Sequence, residues 1–284
     1  MEGATRKYHT HIDAKRSWFD IKLHELWRYR DLIMLFTKRN FILVYKQTIL
    51  GPLWILLQPL MTTLIYTLVF GGIAGISTDG APKLLFYMSG TALWGFFSAC
   101  LTKTSTTFTT NSRIFGKVYF PRLVCPISTV LSSAINFLLQ FLLFLLVWVY
   151  YAATGAVTPN YMGIILLPLI LCYLGMLGMG LGIIISGLTA KYRDLAMLVT
   201  YGVQLWMYIT PIVYPASTLA DSKLYPLIML NPVTSAAETF RWIFLGVGEV
   251  CLTYWAISAA VTVVLLFAGV IIFNRVEKTF MDTI

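Results

Sequence analysis

The chain has 284 residues, of which 58% are hydrophobic and only 12% charged. A water-soluble domain carries about 25% charged residues, so too little polar surface remains to cover a soluble globule, and the composition implies a membrane protein. The net charge of +9 would suit a nucleic-acid partner, but the basic residues fall on one side of the apolar stretches, which is a topological pattern.

Residues 1–48 form a charged amino-terminal segment with no apolar leader-like run near Met1, so the first span is expected to act as its own insertion signal. Within it, Asp20–Phe36 reads as an amphipathic helix with Leu23, Leu26, Trp27 and Met34 on one face and Glu25 and Arg28 opposite. Trp27 among basic residues suits a helix lying in the inner headgroup layer, with Arg30 snorkelling from the apolar face. His9 and His11 lack a third or fourth ligand nearby, so no metal site is expected there.

Residues 49–284 read as the transmembrane unit, because a helix needs about 20 apolar residues to cross the hydrocarbon core. Six stretches qualify, at residues 49–73, 84–108, 124–153, 162–190, 195–214 and 250–273. A seventh, Leu224–Val247, contains Pro226, Asn231-Pro232, Glu238 and Arg241. Each mid-span charge costs about 2.5–3.5 kcal/mol. This stretch is therefore expected to form short re-entrant helices at the outer face between spans 5 and 6. The predicted fold class is all-α integral membrane.

Eighteen of the 21 Lys and Arg residues precede span 1, lie around the connection from span 2 to span 3, or follow spans 4 and 6. Only Lys83, Lys223 and Arg241 fall on the other side. The positive-inside rule then places both termini in the cytoplasm.

The six span interiors hold no Asp, Glu, His or Arg, and Lys103 is expected to snorkel at the cytoplasmic end of span 2. Proton-coupled transport and membrane redox chemistry need such groups, so both are disfavoured. The only Gly-Lys pair, Gly116-Lys117, has no phosphate-loop glycines before it, so nucleotide is expected on another subunit. Cys100, Cys125, Cys172 and Cys251 are widely spaced and read as small buried apolar residues.

Polar and aromatic residues recur at helical spacing instead. Gln58, Thr62 and Tyr66 form a stripe on span 1, and Tyr201, Gln204 and Tyr208 another on span 5. Such stripes leave unsatisfied groups if they face lipid. Mixed with Trp54, Phe70 and Tyr214, they offer rings for sugar C–H faces and weak hydrogen bonds for sugar rims. Thr129, Ser132, Ser133, Asn136 and Gln140 on span 3 read instead as interhelical hydrogen-bonding groups. Gly178 and Gly182 on span 4 form a close-packing step. Gly51-Pro52, Gln58-Pro59 and Thr210-Pro211 are expected to break or kink spans 1 and 5. One subunit's six helices leave no room for a sugar chain, so a lumen needs two copies about a two-fold axis.

Several blocks, in order, carry a family resemblance. They are Lys38-Arg39-Asn40, Tyr45 through Trp54, Gln58-Pro59, Lys117-Val118-Tyr119-Phe120-Pro121-Arg122, Lys191-Tyr192-Arg193-Asp194, Thr210 through Pro215, Leu230-Asn231-Pro232 and Glu238-x-Phe240-Arg241. From about Trp18 to Ile284 the chain resembles the ABC-2 type permeases that export O-antigen, capsular polysaccharide and teichoic acid. The resemblance implies a homodimeric channel docked on two cytoplasmic ATPase subunits, which carry the ATP and Mg, with no cofactor in this chain. It implies ATPase contacts at Asp20–Lys38 and Arg113–Arg122, and coupling or gating roles for Lys117, Phe120, Pro121, Arg122, Arg193 and Asp194. It also implies an outer gate at Asn231, Glu238 and Arg241, where Glu238 and Arg241 could equally do no more than neutralise each other. Asn40 stands where many relatives have Asp, so no charge-dependent role is assigned to it. The motif versions look most like O-antigen export, with teichoic acid or capsule as alternatives. A permease for small lipophilic compounds and a membrane transferase using Asp79 are the competing readings from other classes.

Overall fold

The computed structural model describes residues 23–46, 48–192 and 194–280, leaving aside the side chains of residues 23–25, 45 and 277–280. Among the described residues the chain is helical, without strands. Five helical stretches are long and apolar enough to cross a membrane: Gly51–Ile73, Lys83–Thr104, Val124–Ala153, Tyr161–Thr189 and Leu252–Val276.

The amino-terminal helix is broken rather than continuous. Helix α1, Leu23–Arg28, is followed at Tyr29 by α2, Arg30–Tyr45. Its packed face also differs from the expected one. Leu26, Tyr29, Leu32, Ile33 and Phe36 join a core with Phe115, Phe120 and Val124, whereas Trp27 and Met34 are exposed. Positions 26, 29, 33 and 36 share one helical face that runs on through Tyr29, and Trp27 and Met34 stand together on the neighbouring face. The part of the expected helix before Leu23 lies outside the described residues.

The first crossing starts with a 3-10 turn, Gly51–Leu53, and continues as α3, Trp54–Tyr66, with Pro59 inside it. It ends in a π-helical stretch, Thr67–Ile73, where the Lys83 ammonium donates to the Gly71 carbonyl at 2.6 Å. The second crossing, α4, Lys83–Thr104, stops earlier than expected, and α5, Thr107–Phe115, starts afresh. The reason is a run of hydroxyls. Thr104 donates to the Cys100 carbonyl at 2.6 Å, Ser105 to Thr102 at 2.8 Å and Thr107 to Thr104 at 2.7 Å. Such back-bonding competes with the helical ladder.

Helix α6, Val124–Ala153, occupies the predicted residues. A 3-10 stretch, Tyr161–Leu166, leads into α7, Leu167–Thr189. Helix α8, Leu195–Ile209, ends where Thr210 turns extended before Pro211, a conformation that the proline ring favours. At about 1.5 Å per residue it rises roughly 22 Å. Two short helices follow, α9 (Tyr225–Met229) and α10 (Pro232–Phe244), and then the long α11 (Leu252–Phe280).

Helix α4 is the post of the assembly, packed by α3, α6, α7, α8 and α10. Its pairing with α7 depends on absent side chains. A Cβ at Gly178 would lie 2.7 Å from Cys100 Cβ, and one at Gly182 would meet Thr104 Oγ1 and come within 2.8 Å of the Leu101 carbonyl. The small-x-x-x-small step thus lets two backbones approach, as its spacing implies. Of the cysteines, Cys100 and Cys125 are buried as expected, but Cys172 is exposed on the outside of α7 and Cys251 is half-buried.

Candidate functional site

A groove of about 550 Å³ lies between α3, α4, α6 and α8. Four of the expected channel residues line it: Trp54, Gln58 and Tyr66 from α3, and Gln204 from α8. Thr62 of the same α3 stripe joins them. The stripe points inward because positions 54, 58, 62 and 66 are spaced by four on one helix.

The other four expected residues do not reach the groove of the single chain. Thr200, Val203, Gln204 and Met207 form the α8 face that does; Tyr201 lies on the adjacent, outward face, 65% exposed, and Tyr208, 52% exposed, stands at the rim beside the Tyr66 side chain. Gln204 is where the two faces meet. Phe70 stands edge-on to Tyr66 at 5.3 Å between ring centroids, above the groove lining. The Tyr214 hydroxyl donates to the Ile209 carbonyl at 2.9 Å and thereby closes the turn after α8.

Two walls were not expected from sequence. The α6 residues Ser133, Asn136 and Gln140 line the groove, while Ser128, Thr129 and Ser132 donate to carbonyls of their own helix. The α6 stripe thus lines a cavity, a placement its sequence pattern did not announce. The α4 wall is built from Thr91, Gly95, Ser98 and Thr102. Their spacing of four, three and four is a helical face of small polar residues, a signal present in the sequence but muted by the bulky aromatics between them. Trp206 ties α8 to this wall, lying 6.2 Å from Trp94 and 5.3 Å from Phe97, nearly perpendicular to both. Among the described residues no carboxylate lines the groove, and Lys103 is its cation. That residue is exposed in the last turn of α4, at the end of the span where it was expected, and it borders the cavity.

At the far end of the bundle from α1, α2 and α5, the three gate candidates converge on one turn. Asn231 accepts from Val233 N at 3.2 Å, capping α10, and donates to Thr210 Oγ1 at 2.7 Å. Arg241 pairs with Glu238 at 3.0 Å, donates to the Ile212 carbonyl at 2.9 Å and lies 3.8 Å above the Phe86 ring. Both partners of the pair are at least 97% buried. The pair thus neutralises itself and also holds the Thr210–Tyr214 turn against α4. Gly90 makes room, since a Cβ there would lie 2.8 Å from the Ile212 carbonyl. Aromatic donors clasp α10 from three sides: Trp148 to the Phe244 carbonyl, Tyr173 to the Pro232 carbonyl and Trp255 to Thr239 Oγ1, at 2.7, 2.9 and 2.7 Å.

The elbow between α5 and α6 divides into an anchor and a tip. Phe120 packs edge-on to Phe36 at 5.6 Å, and the Arg122 guanidinium lies 5.2 Å from the Phe115 ring. Both are buried, whereas Lys117, Val118 and Tyr119 are exposed. Pro121 begins the tight turn, its carbonyl accepting from Val124 N at 3.0 Å. Asp194 starts α8, with its carbonyl accepting from Met197 N at 3.0 Å. Arg193 lies outside the described residues.

These features define a multi-pass, all-helical membrane protein with a polar groove free of carboxylates among the described residues, a clasped helix at one end and an aromatic-anchored elbow at the other. The chain belongs to the ABC-2 type transporter family, which it matches over residues 31–245. Groove, elbow and clasped helix all fall within that range. The chain is thus a membrane-embedded transport subunit of a family that implies an ATP-binding partner. It is similar to the O-antigen export system permease protein RfbA of Klebsiella pneumoniae, 29% identical over 252 residues, 89% of this chain and 94% of that protein. It is also similar to the O-antigen export system permease protein RfbA of Myxococcus xanthus, 28% identical over 264 residues, 92% and 98% of the two chains.

Proposed function

We propose that this chain is the channel-forming permease of an ATP-driven exporter that moves lipid-linked polysaccharide of O-antigen type across the bacterial cytoplasmic membrane. The observation that carries this reading is the groove: amides, hydroxyls and aromatic rings with no carboxylate. Such a surface offers replaceable hydrogen bonds and stacking platforms without a site that would hold a sugar fast. The printed function of the relatives points the same way.

In this reading α8 and the turn after it complete a sixth span, α9 and α10 are re-entrant at the outer face, and both termini are cytoplasmic. Residues 1–48 form the cytoplasmic segment and 49–284 the transmembrane unit. Two copies stand about a two-fold axis on two ATP-binding subunits. The exposed Tyr201 and Tyr208 then face the second copy and extend the ring-lined path. The exposed Lys117–Tyr119 tip meets the ATPase, and the buried Phe120 and Arg122 transmit its movement to α2 and α6. Asn231, Glu238 and Arg241 hold the outer gate.

Deleting the chain from its host is expected to abolish surface polysaccharide and leave polymer on its carrier lipid inside the cell. Unchanged surface polymer overturns the substrate assignment. Proteoliposomes that moved the glycolipid with this chain alone, without an ATPase, would overturn the powered mechanism.

A further inference from the structure

Beside the groove, at the basic end of the bundle, lies a second cavity of about 240 Å³ between α2, α4, α5 and α6. Lys103 and Val44 line both cavities, so the two adjoin at the Lys103 side chain. Arg39 lines the second cavity as well, with Asn40, Asn111, Thr129 and Ser132 around it.

Arg39 is held in place by neutral groups. Its guanidinium donates to Asn40 Oδ1 at 3.1 Å and to Asn111 Oδ1 at 3.4 Å, and lies 4.4 Å from the Phe36 ring centroid. Asn111 is itself fixed, donating to the Thr107 carbonyl at 3.0 Å. Among the described residues no carboxylate lines either cavity. An anion entering the smaller one therefore meets Lys103 and Arg39 without a competing acid in its wall. The pre-oriented guanidinium, the Lys103 ammonium and the Asn40 amide N–H are donors that match the oxygens of a phosphate group.

We propose that Lys103 and Arg39 form a phosphate-binding subsite at the entrance to the groove, which receives the phosphate or diphosphate joining the polymer to its carrier lipid. This rests on the polysaccharide reading for its occupant, but anion binding can be measured without it. With the charged linkage held at Lys103, the first sugars lie along Gln58, Gln140 and Gln204 in the neutral groove, and the lipid tail remains outside.

The test uses the complete transporter, with its ATPase, in nanodiscs of zwitterionic lipid, and reads equilibrium binding without ATP. The probes are polyprenyl diphosphate, the uncharged polyprenol and inorganic diphosphate. The wild type is expected to prefer polyprenyl diphosphate to polyprenol. Lys103→Gln should lower that affinity about tenfold, the loss of one charge-assisted contact, and Lys103→Arg should largely retain it. Asn40→Asp keeps both cations but places a carboxylate beside Arg39, and should also weaken binding. Inorganic diphosphate binding as tightly, with the same dependence on the variants, supports the subsite and assigns it to a soluble anion. Equal affinity for the two lipids, or wild-type affinity in both Lys103→Gln and Asn40→Asp, overturns the proposal. That failure leaves the exporter reading standing, because surface polymer in the host tests it separately.

Discussion

The groove and the α10 wedge are both polar inclusions in an apolar bundle, yet they solve the burial problem in opposite ways. In the wedge, Glu238 and Arg241 are at least 97% buried, with the carboxylate on Arg241 and the guanidinium shared between that carboxylate and the Ile212 carbonyl. In the groove, the α3 and α4 hydroxyls turn back to their own helices, as Thr62 does to Gln58 and Thr102 to Ser98. The amides Gln58, Gln140 and Gln204 stay on the cavity surface. A charged pair in low dielectric has one good geometry and holds its neighbours to it. Neutral groups satisfied locally can gain or lose a guest at little cost. One region is therefore built to lock and the other to exchange.

This contrast predicts where substitutions hurt. The largest loss is expected for Glu238→Ala, which leaves Arg241 buried without its counter-charge, at about 3–5 kcal/mol. Thermal unfolding of the detergent-solubilised protein measures it, and the double change Glu238→Leu with Arg241→Met should recover much of the loss. Recovery that failed entirely would assign the cost to the Ile212 contact instead. Next comes Gly182→Val, which forces α7 away from the Thr104 and Leu101 positions of α4 at about 1–3 kcal/mol of overpacking, read by the same unfolding experiment. Asn231→Ala removes the α10 cap and the bond to Thr210, and should cost about 1 kcal/mol. Smallest in stability are Gln58→Ala and Gln204→Ala, expected within about 0.5 kcal/mol of wild type. Their effect should appear in export, as surface polymer reduced severalfold. If they unfolded the protein as Glu238→Ala does, the division between locking and exchanging regions would fall.

Much of the wedge was legible in sequence because its residues carry unmistakable chemistry: a proline after Asn231, and an acid and a base three residues apart. Helix α6 could be read to its ends because an apolar run of thirty residues has no competing signal. The groove was half legible. The α3 stripe combines amide, hydroxyl and ring at a spacing of four, so its residues share one face, and its polar groups turn that face away from lipid. On α8, Gln204 stands at the border of two faces, and the choice between Thr200 with Met207 and Tyr201 with Tyr208 depends on where α4 packs, which no local pattern encodes. The position of Lys103 at the span end was legible, but the cavity beside it was not, because its other walls come from α2, α5 and α6. The α4 stop at Thr104 was missed because hydropathy continues through Phe108 while back-bonding hydroxyls end the helix.

The central position of α4 has a further consequence. In the most apolar part of Lys83–Thr104, 72% of the residues are buried in the protein, against 11% for Gly51–Ile73 and 28% for Leu252–Val276. Changes in bilayer thickness act on the outer helices, which can tilt or slide to match it. They have almost no direct grip on α4. A thinner or thicker membrane should thus alter how the peripheral rods lean on a fixed mast, leaving the mast itself indifferent to the choice of lipid.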